Sequence, residues 1–478
     1  MPDLSAVLAA HRGHGYVVAP AGFGKTHLIA AAVANATKRQ LVLTHTYAGV
    51  NALRQKMRQL GTPNRMVRLD TIASWALRLC LSYPSSSAWE TVRPNGSDWL
   101  NLYKHCSGLL DATFIRRILR ASYDGLYVDE YQDCSTDQHR LILQLARDLP
   151  CRVVGDPLQA IFDFGSEETL QWEQEIPKHF ECLGELGTPH RWIQAGQERL
   201  GDWLLMARTL LSQDQPIELG RLPASIRIVH AHAADDLAIL QGNTCRHFRC
   251  DQEQSIIAIH RGAPEFKAKC HNLARNIGGR FSSIEEIEGR DFFSRVRRLH
   301  HARSGREQLL ELLSFAALCM TGVTTAVSAS SRRGEHTVLR SSTRNPPLTL
   351  AANECLRLPS SASALAFLQS LTAVPNVHVF RADLLGRMLG ALRTHVRYPE
   401  LELIDAADRY QSGFRHKGRL TGRRRLIGTT LLVKGLEFDH AIVLDAASLP
   451  RKELYVALTR GARSLTIIST VSRLQPTD

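Results

Sequence analysis

The chain has 478 residues, 44% of them hydrophobic and 22% charged, with a formal net charge of +13. That apolar share supports roughly two to four folded domains and excludes a disordered chain, while the basic surplus favours a polyanionic partner, because each phosphate neutralised releases counterions. No apolar run reaches the roughly 20 residues that span a bilayer. The N-terminal stretch lacks the basic and apolar regions of a secretory signal, and the ten cysteines include no CxxC pair. The expectation is a soluble, cytoplasmic protein with reduced thiols and no membrane partner.

In chain order, the first part alternates short apolar runs with helical stretches, the pattern of a parallel α/β sheet. Tyr16–Ala19, Leu41–Leu43, Leu126–Val128 and Arg152–Val154 read as strands buried on both faces. Residues from about 75 to 122 break this rhythm with Trp, Pro and Ser and read as a small insertion. A second α/β set begins near 186, with strands expected at Ser255–Ile259, His440–Leu444 and Leu465–Ile468. Between them, 291–414 has helical periodicity, clearest in Glu307–Met320 and Ala362–Leu371. The expected class is therefore α/β with two parallel-sheet units. The first covers 1–185, and the second is split into 186–290 and 415–478 around a helical insertion.

Ala19-Pro20-Ala21-Gly22-Phe23-Gly24-Lys25-Thr26 follows the first strand and opens a helix through Ala34. Glycines at Gly22 and Gly24 let backbone N–H groups turn inward around phosphates. Lys25 supplies a positive charge there, and the Thr26 hydroxyl can ligate Mg²⁺. Leu126–Glu130 is an apolar strand ending in two acids, which suits holding Mg²⁺ through Asp129 and polarising a water through Glu130. An acid pair after a strand more often caps a helix; the phosphate loop upstream reverses that preference.

Asp129-Glu130-Tyr131-Gln132-Asp133 resembles motif II of the UvrD/PcrA/Rep helicases of superfamily 1. Further resemblances follow in that family's order. Leu43–Thr46 with Ala48 and Met57 is similar to motif Ia, and Asp70–Trp75 to the T-[IF]-H-S-F motif after it. Gly155-Asp156-Pro157-Leu158-Gln159 resembles motif III and Leu186–Arg191 motif IV. Thr429–Phe438 resembles motif V and Tyr455–Arg460 motif VI. The resemblance implies two RecA-like lobes that sandwich ATP with Mg²⁺, the first from 1 to 185 and the second in the two parts given above. It assigns ATP to Ala19–Thr26 and Glu437, and hydrolysis to Lys25, Glu130, Gln159, Arg191 and Arg460, with the two arginines on the second lobe. Thr26 and Asp129 would hold the metal. Thr44, His45, Thr46, Ser74, Trp75, Phe162, Phe164 and Lys434 would touch DNA.

Departures from the family pattern accompany these matches. Residues 1–16 contain no glutamine to read adenine, and Leu431 stands where motif V usually has histidine. Both insertions are short for the family. The implied activity is ATP-driven translocation or unwinding on single-stranded or partly duplex DNA, running 3′ to 5′. The alternative is a DNA-stimulated ATPase subunit that does not unwind but regulates a partner nuclease, similar to the helicase-like component of Gabija-type antiphage systems. Cys245-Arg246-His247-Phe248-Arg249-Cys250, with Cys270-His271 downstream, lacks standard zinc spacing, and its cysteines read as free thiols. Arg415–Arg419 and Arg423–Arg425 read as a basic loop, either solvated or against phosphates.

Overall fold

The computed structural model describes residues 3–94, 98–161, 170–232, 234–286, 289–417 and 422–475. The chain divides into two compact units. Unit 1 is 1–217 with 450–463 and 475–478, and unit 2 is 218–449 with 464–474.

Unit 1 is built on six parallel strands: β1 (His14–Val18), β2 (Gln40–Thr44), β3 (Val67–Thr71), β4 (Gly125–Asp129), β5 (Cys151–Gly155) and β6 (Glu181–Glu185), in the order β3-β2-β4-β5-β1-β6. Side chains alternate along each strand, so the sheet feeds two cores. Leu41, Leu43, Leu126, Val128 and Val153 enter one, and Val17, Val42, Tyr127 and Val154 the other. Helices α1 (Leu4–Ala10), α2 (Lys25–Ala34) and α3 (Tyr47–Gln59) precede β3. The insertion between β3 and β4 consists of α4 (Ile72–Ser82), α5 (Pro84–Ser87), α6 (Asp98–Leu110) and α7 (Thr113–Ser122). After β4 come α8 (Thr136–Ala146) and α9 (Trp172–His179), and after β6 come α10 (His190–Gln194) and α11 (Glu198–Ser212).

The break between units does not fall at the expected 185. It falls at 217, because α10 and α11 pack onto unit 1, where the fully buried Trp192 donates its indole N–H to the Gly461 carbonyl at 2.9 Å. The segment 450–463, which includes a late helix (Arg451–Leu458), returns to unit 1 as well.

Unit 2 follows a two-residue strand β7 (Ile217–Glu218). Its sheet has the order β10-β13-β9-β14-β15-β8, made from β8 (Ile226–His230), β9 (Ile256–His260), β10 (Ser282–Ser283), β13 (Arg425–Thr429), β14 (Phe438–Val443) and β15 (Gly461–Ser469). The pairings of β10 with β13, β9 with β13 and β14, and β15 with β8 are parallel. Arg425, expected in a loop, opens β13. Helices α12 (Ala234–His247) and α13 (Pro264–Asn276) flank β9.

Between β10 and β13 lies a helical insertion of α14 (Arg290–His301), α15 (Gly305–Cys319), α16 (Val323–Ala326), α17 (Ala329–Arg332), α18 (Pro346–Arg357), α19 (Ser361–Thr372), α20 (Ala382–Arg397) and α21 (Leu403–Lys417). A short antiparallel ribbon, β11 (Met320–Thr321) with β12 (His378–Val379), is embedded in it. The insertion has its own core around Phe292, Leu312, Phe315, Phe367 and Met388. Buried Arg381 ties it to the sheet. Its guanidinium donates to both oxygens of Glu285 at 2.7 Å and to Asp291 at 2.6 Å, a bidentate geometry that fixes direction as well as charge. Before β14 comes α22 (Thr430–Val433), and Arg451–Leu458 is α23. Among the described residues, no helix is long and apolar enough to cross a membrane.

Candidate nucleotide-binding site

The loop between β1 and α2 carries the chemistry of unit 1. Ala19 donates its N–H to the Gly155 carbonyl at 2.8 Å, so the loop starts in register with β5. Gly22 (φ 78°) and Gly24 (φ 94°) take the left-handed conformation that turns successive N–H groups to one side. At Gly22 a Cβ would also collide with the Trp192 ring at 2.8 Å. Lys25 and the half-buried Thr26 open α2, and Gly24 at its N-cap gives no side-chain hydrogen bond, so the helix start suits an anion.

Lys25 is buried and its ammonium donates to Glu130 at 2.5 Å. Burial opposes its charge, but Glu130, Asp129 and Asp156 outweigh that and raise its pKa. Burial, the largest influence, pushes the Asp129 carboxyl up to about 7 against the pull of Lys25, with Glu130 adding repulsion. A buried carboxylate at a strand end that resists ionisation is what a hard divalent cation would relieve, so the residues fit Mg²⁺ beside a triphosphate. Glu130 itself has φ 56°, a strained value for a residue with a side chain.

A hydrogen-bonded chain runs from this pair to the rest of the unit. Gln132 donates to Glu130 at 2.6 Å and accepts from the Asp156 N–H at 3.0 Å. Asp156, fully buried, accepts from Gln159 at 2.9 Å and from Arg208 at 3.4 Å. Tyr455 on α23 is hydrogen-bonded to Asp156, and its hydroxyl accepts the Ala21 N–H at 3.2 Å. Burial first, then Asp156, holds the Tyr455 pKa well above its usual value. The phosphate loop is thereby coupled to the Gly155–Gln159 turn through one phenol.

The two arginines expected from an opposing lobe belong to unit 1. The Arg191 N–H donates to the Gly22 carbonyl at 3.0 Å, and its guanidinium to the Thr459 carbonyl at 2.7 Å. Arg460 is 2% exposed, and its guanidinium donates to the Val456 carbonyl at 2.8 Å and the Thr459 hydroxyl at 3.0 Å. Arg191 is there because the break falls at 217, and Arg460 because 450–463 returns to this unit.

The expected DNA contacts separate. Thr46 is exposed and caps α3 by accepting the Gly49 N–H at 3.1 Å. Ser74 meets the Tyr47 hydroxyl at 2.6 Å, so the motif Ia string and the Asp70–Trp75 string share one edge. His45 is half-buried, 3.6 Å from the Cys134 sulfur. Thr44 is 1% exposed, enclosed at the end of β2. Trp75 corrects the reading: at 5% exposure it lies in the main core of unit 1 and presents no stacking face. Phe162 and Phe164 lie outside the described residues. Lys434 and the exposed Glu437 are in unit 2, in the turn between α22 and β14 that Gly435 (φ 76°) makes possible.

Gln132, Asp156, Arg208, Trp192 and Tyr455 were not singled out by their types. Three of them sit inside motif strings, where a polar residue in an otherwise buried segment is the signal. Arg208 gives none.

A β1 strand, phosphate loop and α2 beside a β4 strand ending in Asp129-Glu130, in the order β3-β2-β4-β5-β1-β6, define a P-loop NTPase unit of RecA-like topology. More particularly, residues 90–172 match the UvrD/REP helicase N-terminal domain. That segment holds the Asp129-Glu130 and Asp156–Gln159 elements but not the phosphate loop. No curated protein matches. Among solved structures, the chain is similar to an arterivirus nonstructural protein 10 helicase in complex with DNA, at 14% identity and TM-score 0.27, over 54% of this chain and 51% of that one. It is also similar to Pif1 helicase from Candida albicans, at 12% identity and TM-score 0.40, over 98% of this chain and 94% of that one. The chain thus spans about half the length of the viral helicase.

Proposed function

We propose that the chain is an ATP-dependent DNA motor of the cytoplasm that tracks along single-stranded DNA in the 3′ to 5′ sense. The observation that carries this reading is the pair of buried Lys25 with half-buried Glu130 at the mouth of the phosphate loop, with Asp129 beside it. When a triphosphate and Mg²⁺ are bound, they supply the bond to be broken and a counter-charge for it. Lys25 leaves Glu130 for phosphate oxygen, and Thr26 and Asp129 hold the metal. Glu130, released from the lysine, takes the proton of an attacking water, while Gln159 senses the terminal phosphate. Arg191 and Arg460 offset charge on the transferring group, a role typically worth ~10³–10⁵ in rate. This requires Arg460 to exchange its bonds to Val456 and Thr459. Thr46, Ser74 and His45 form the DNA-facing edge of unit 1. The roles of Lys434 on DNA and Glu437 on nucleotide, like the polarity, rest on the motif resemblance.

Lys25→Ala is expected to abolish ATP hydrolysis while circular dichroism stays that of the parent. Unchanged turnover in that variant refutes the assignment. Single-stranded DNA is expected to raise the parent's ATPase rate, and equal rates with and without it refute the motor. A strand-displacement assay separates an unwinding enzyme from an ATPase subunit that only gates a partner nuclease.

A further inference from the structure

Away from the phosphate loop, unit 1 gathers three metal-ligating side chains. His139 lies on α8, and Glu175 and His179 lie four residues apart on α9, hence on one face of that helix. One donor atom from each falls within 4.8 Å of the others. His139 is 5% exposed. Its Nδ1 is 2.8 Å from the Tyr131 hydroxyl, which leaves Nε2 buried with no hydrogen-bond partner among the described residues. A buried ring nitrogen left unpaired calls for an explanation. The Tyr131 bond orients the ring so that Nε2 is the free donor, as outer partners of ligating imidazoles do. Lys178 engages one carboxylate oxygen of Glu175 at 2.7 Å, and the other oxygen remains for a ligand.

We propose that His139, Glu175 and His179 form a site for a divalent first-row transition ion of the zinc type. Two imidazole nitrogens and one carboxylate match the borderline character of such an ion, with water completing the shell. Mg²⁺, which seeks oxygen and keeps its waters, fits this donor set poorly. The ion joins α9 to α8 and restrains Tyr131, which directly follows Glu130 and packs edge-on against Trp172 at 6.4 Å. The site is thus a strut behind the hydrolytic centre. A second His-acid cluster, His271 with Glu285 and Asp291, differs in kind, because Arg381 already neutralises both carboxylates.

The test uses the full chain without a polyhistidine tag, stripped by chelation and titrated with Zn²⁺ by calorimetry and with Co²⁺ by visible absorption. The parent is expected to bind one Zn²⁺ tightly, to develop tetrahedral Co²⁺ bands, and to melt at higher temperature with Zn²⁺ than without. His179 is exposed, so His179→Ala folds normally; it should weaken Zn²⁺ binding on the order of 100-fold or more and abolish the Co²⁺ bands and the thermal shift. His271→Ala should change none of these. Absent stoichiometric binding, a His179→Ala variant with the parent's affinity and spectrum, or loss on His271→Ala instead overturns the proposal.

Discussion

At Tyr455 one hydroxyl bridges two strings that lie far apart in the chain, accepting from Ala21 and bonded to Asp156. Tyr455→Phe keeps the ring and its packing but strands the Ala21 N–H. Leaving a buried donor unpaired is destabilising by about 1–3 kcal/mol. Urea unfolding should show that loss, and kcat/KM for ATP should fall roughly ten-fold if the loop depends on the bridge. An unchanged kcat/KM would mean that the phenol serves only the core. The meeting of Lys25 with Glu130 and Asp129 was legible in the sequence, because each sits in a contiguous string that follows a strand. The bridge was not legible, because hydrogen bonds between residues hundreds of positions apart leave no local pattern. The arginines show the same limit: Arg191 and Arg460 were named from their strings, but their common unit is set by the break at 217 and the return of 450–463.

Elements were legible in proportion to how deeply they are buried. β1, β2, β4 and β5 are central strands and read as unbroken apolar runs. The edge strands β3 (Val-Arg-Leu-Asp-Thr) and β6 (Glu-Cys-Leu-Gly-Glu) interrupt their apolar residues with charged ones, so they escaped notice. Trp75 illustrates the opposite error, in which motif position suggested a base-stacking surface and packing assigned the ring to the core. It lies on α4 with Ala76 and Cys80, against Leu102 and Cys106 of α6. Trp75→Ala should therefore be destabilising by about 3–5 kcal/mol, measured by denaturant unfolding. Trp75→Phe should recover most of that stability and leave DNA stimulation of the ATPase intact. Loss of stimulation in a stably folded Trp75→Phe chain would return the residue to the DNA surface.

Across the whole molecule, acid should act through buried imidazoles as well as through carboxylates. His260, at the end of β9, is 4% exposed, and its Nδ1 has no partner among the described residues. Burial, helped by the Lys269 charge, pushes its pKa down to about 4. His271 is likewise pushed down to about 4, by burial first, with Arg381 and Lys267 adding to that against the opposite pull of Glu285 and Asp291. In the unfolded chain both titrate near the ordinary histidine value of about 6.5. Between about pH 6.5 and 4 the unfolded state therefore binds protons that the folded state refuses, so stability falls as pH falls through that window. Above about 6.5 both states hold neutral rings and the effect vanishes. For His260 alone the full loss, reached below pH 4, is on the order of 3 kcal/mol. His260→Asn removes the titrating group, so its unfolding free energy should fall less steeply than the parent's from pH 6.5 to 4. The two curves should run parallel between pH 7 and 8. Equal slopes in the acid window would mean that the ring already carries its proton in the folded chain.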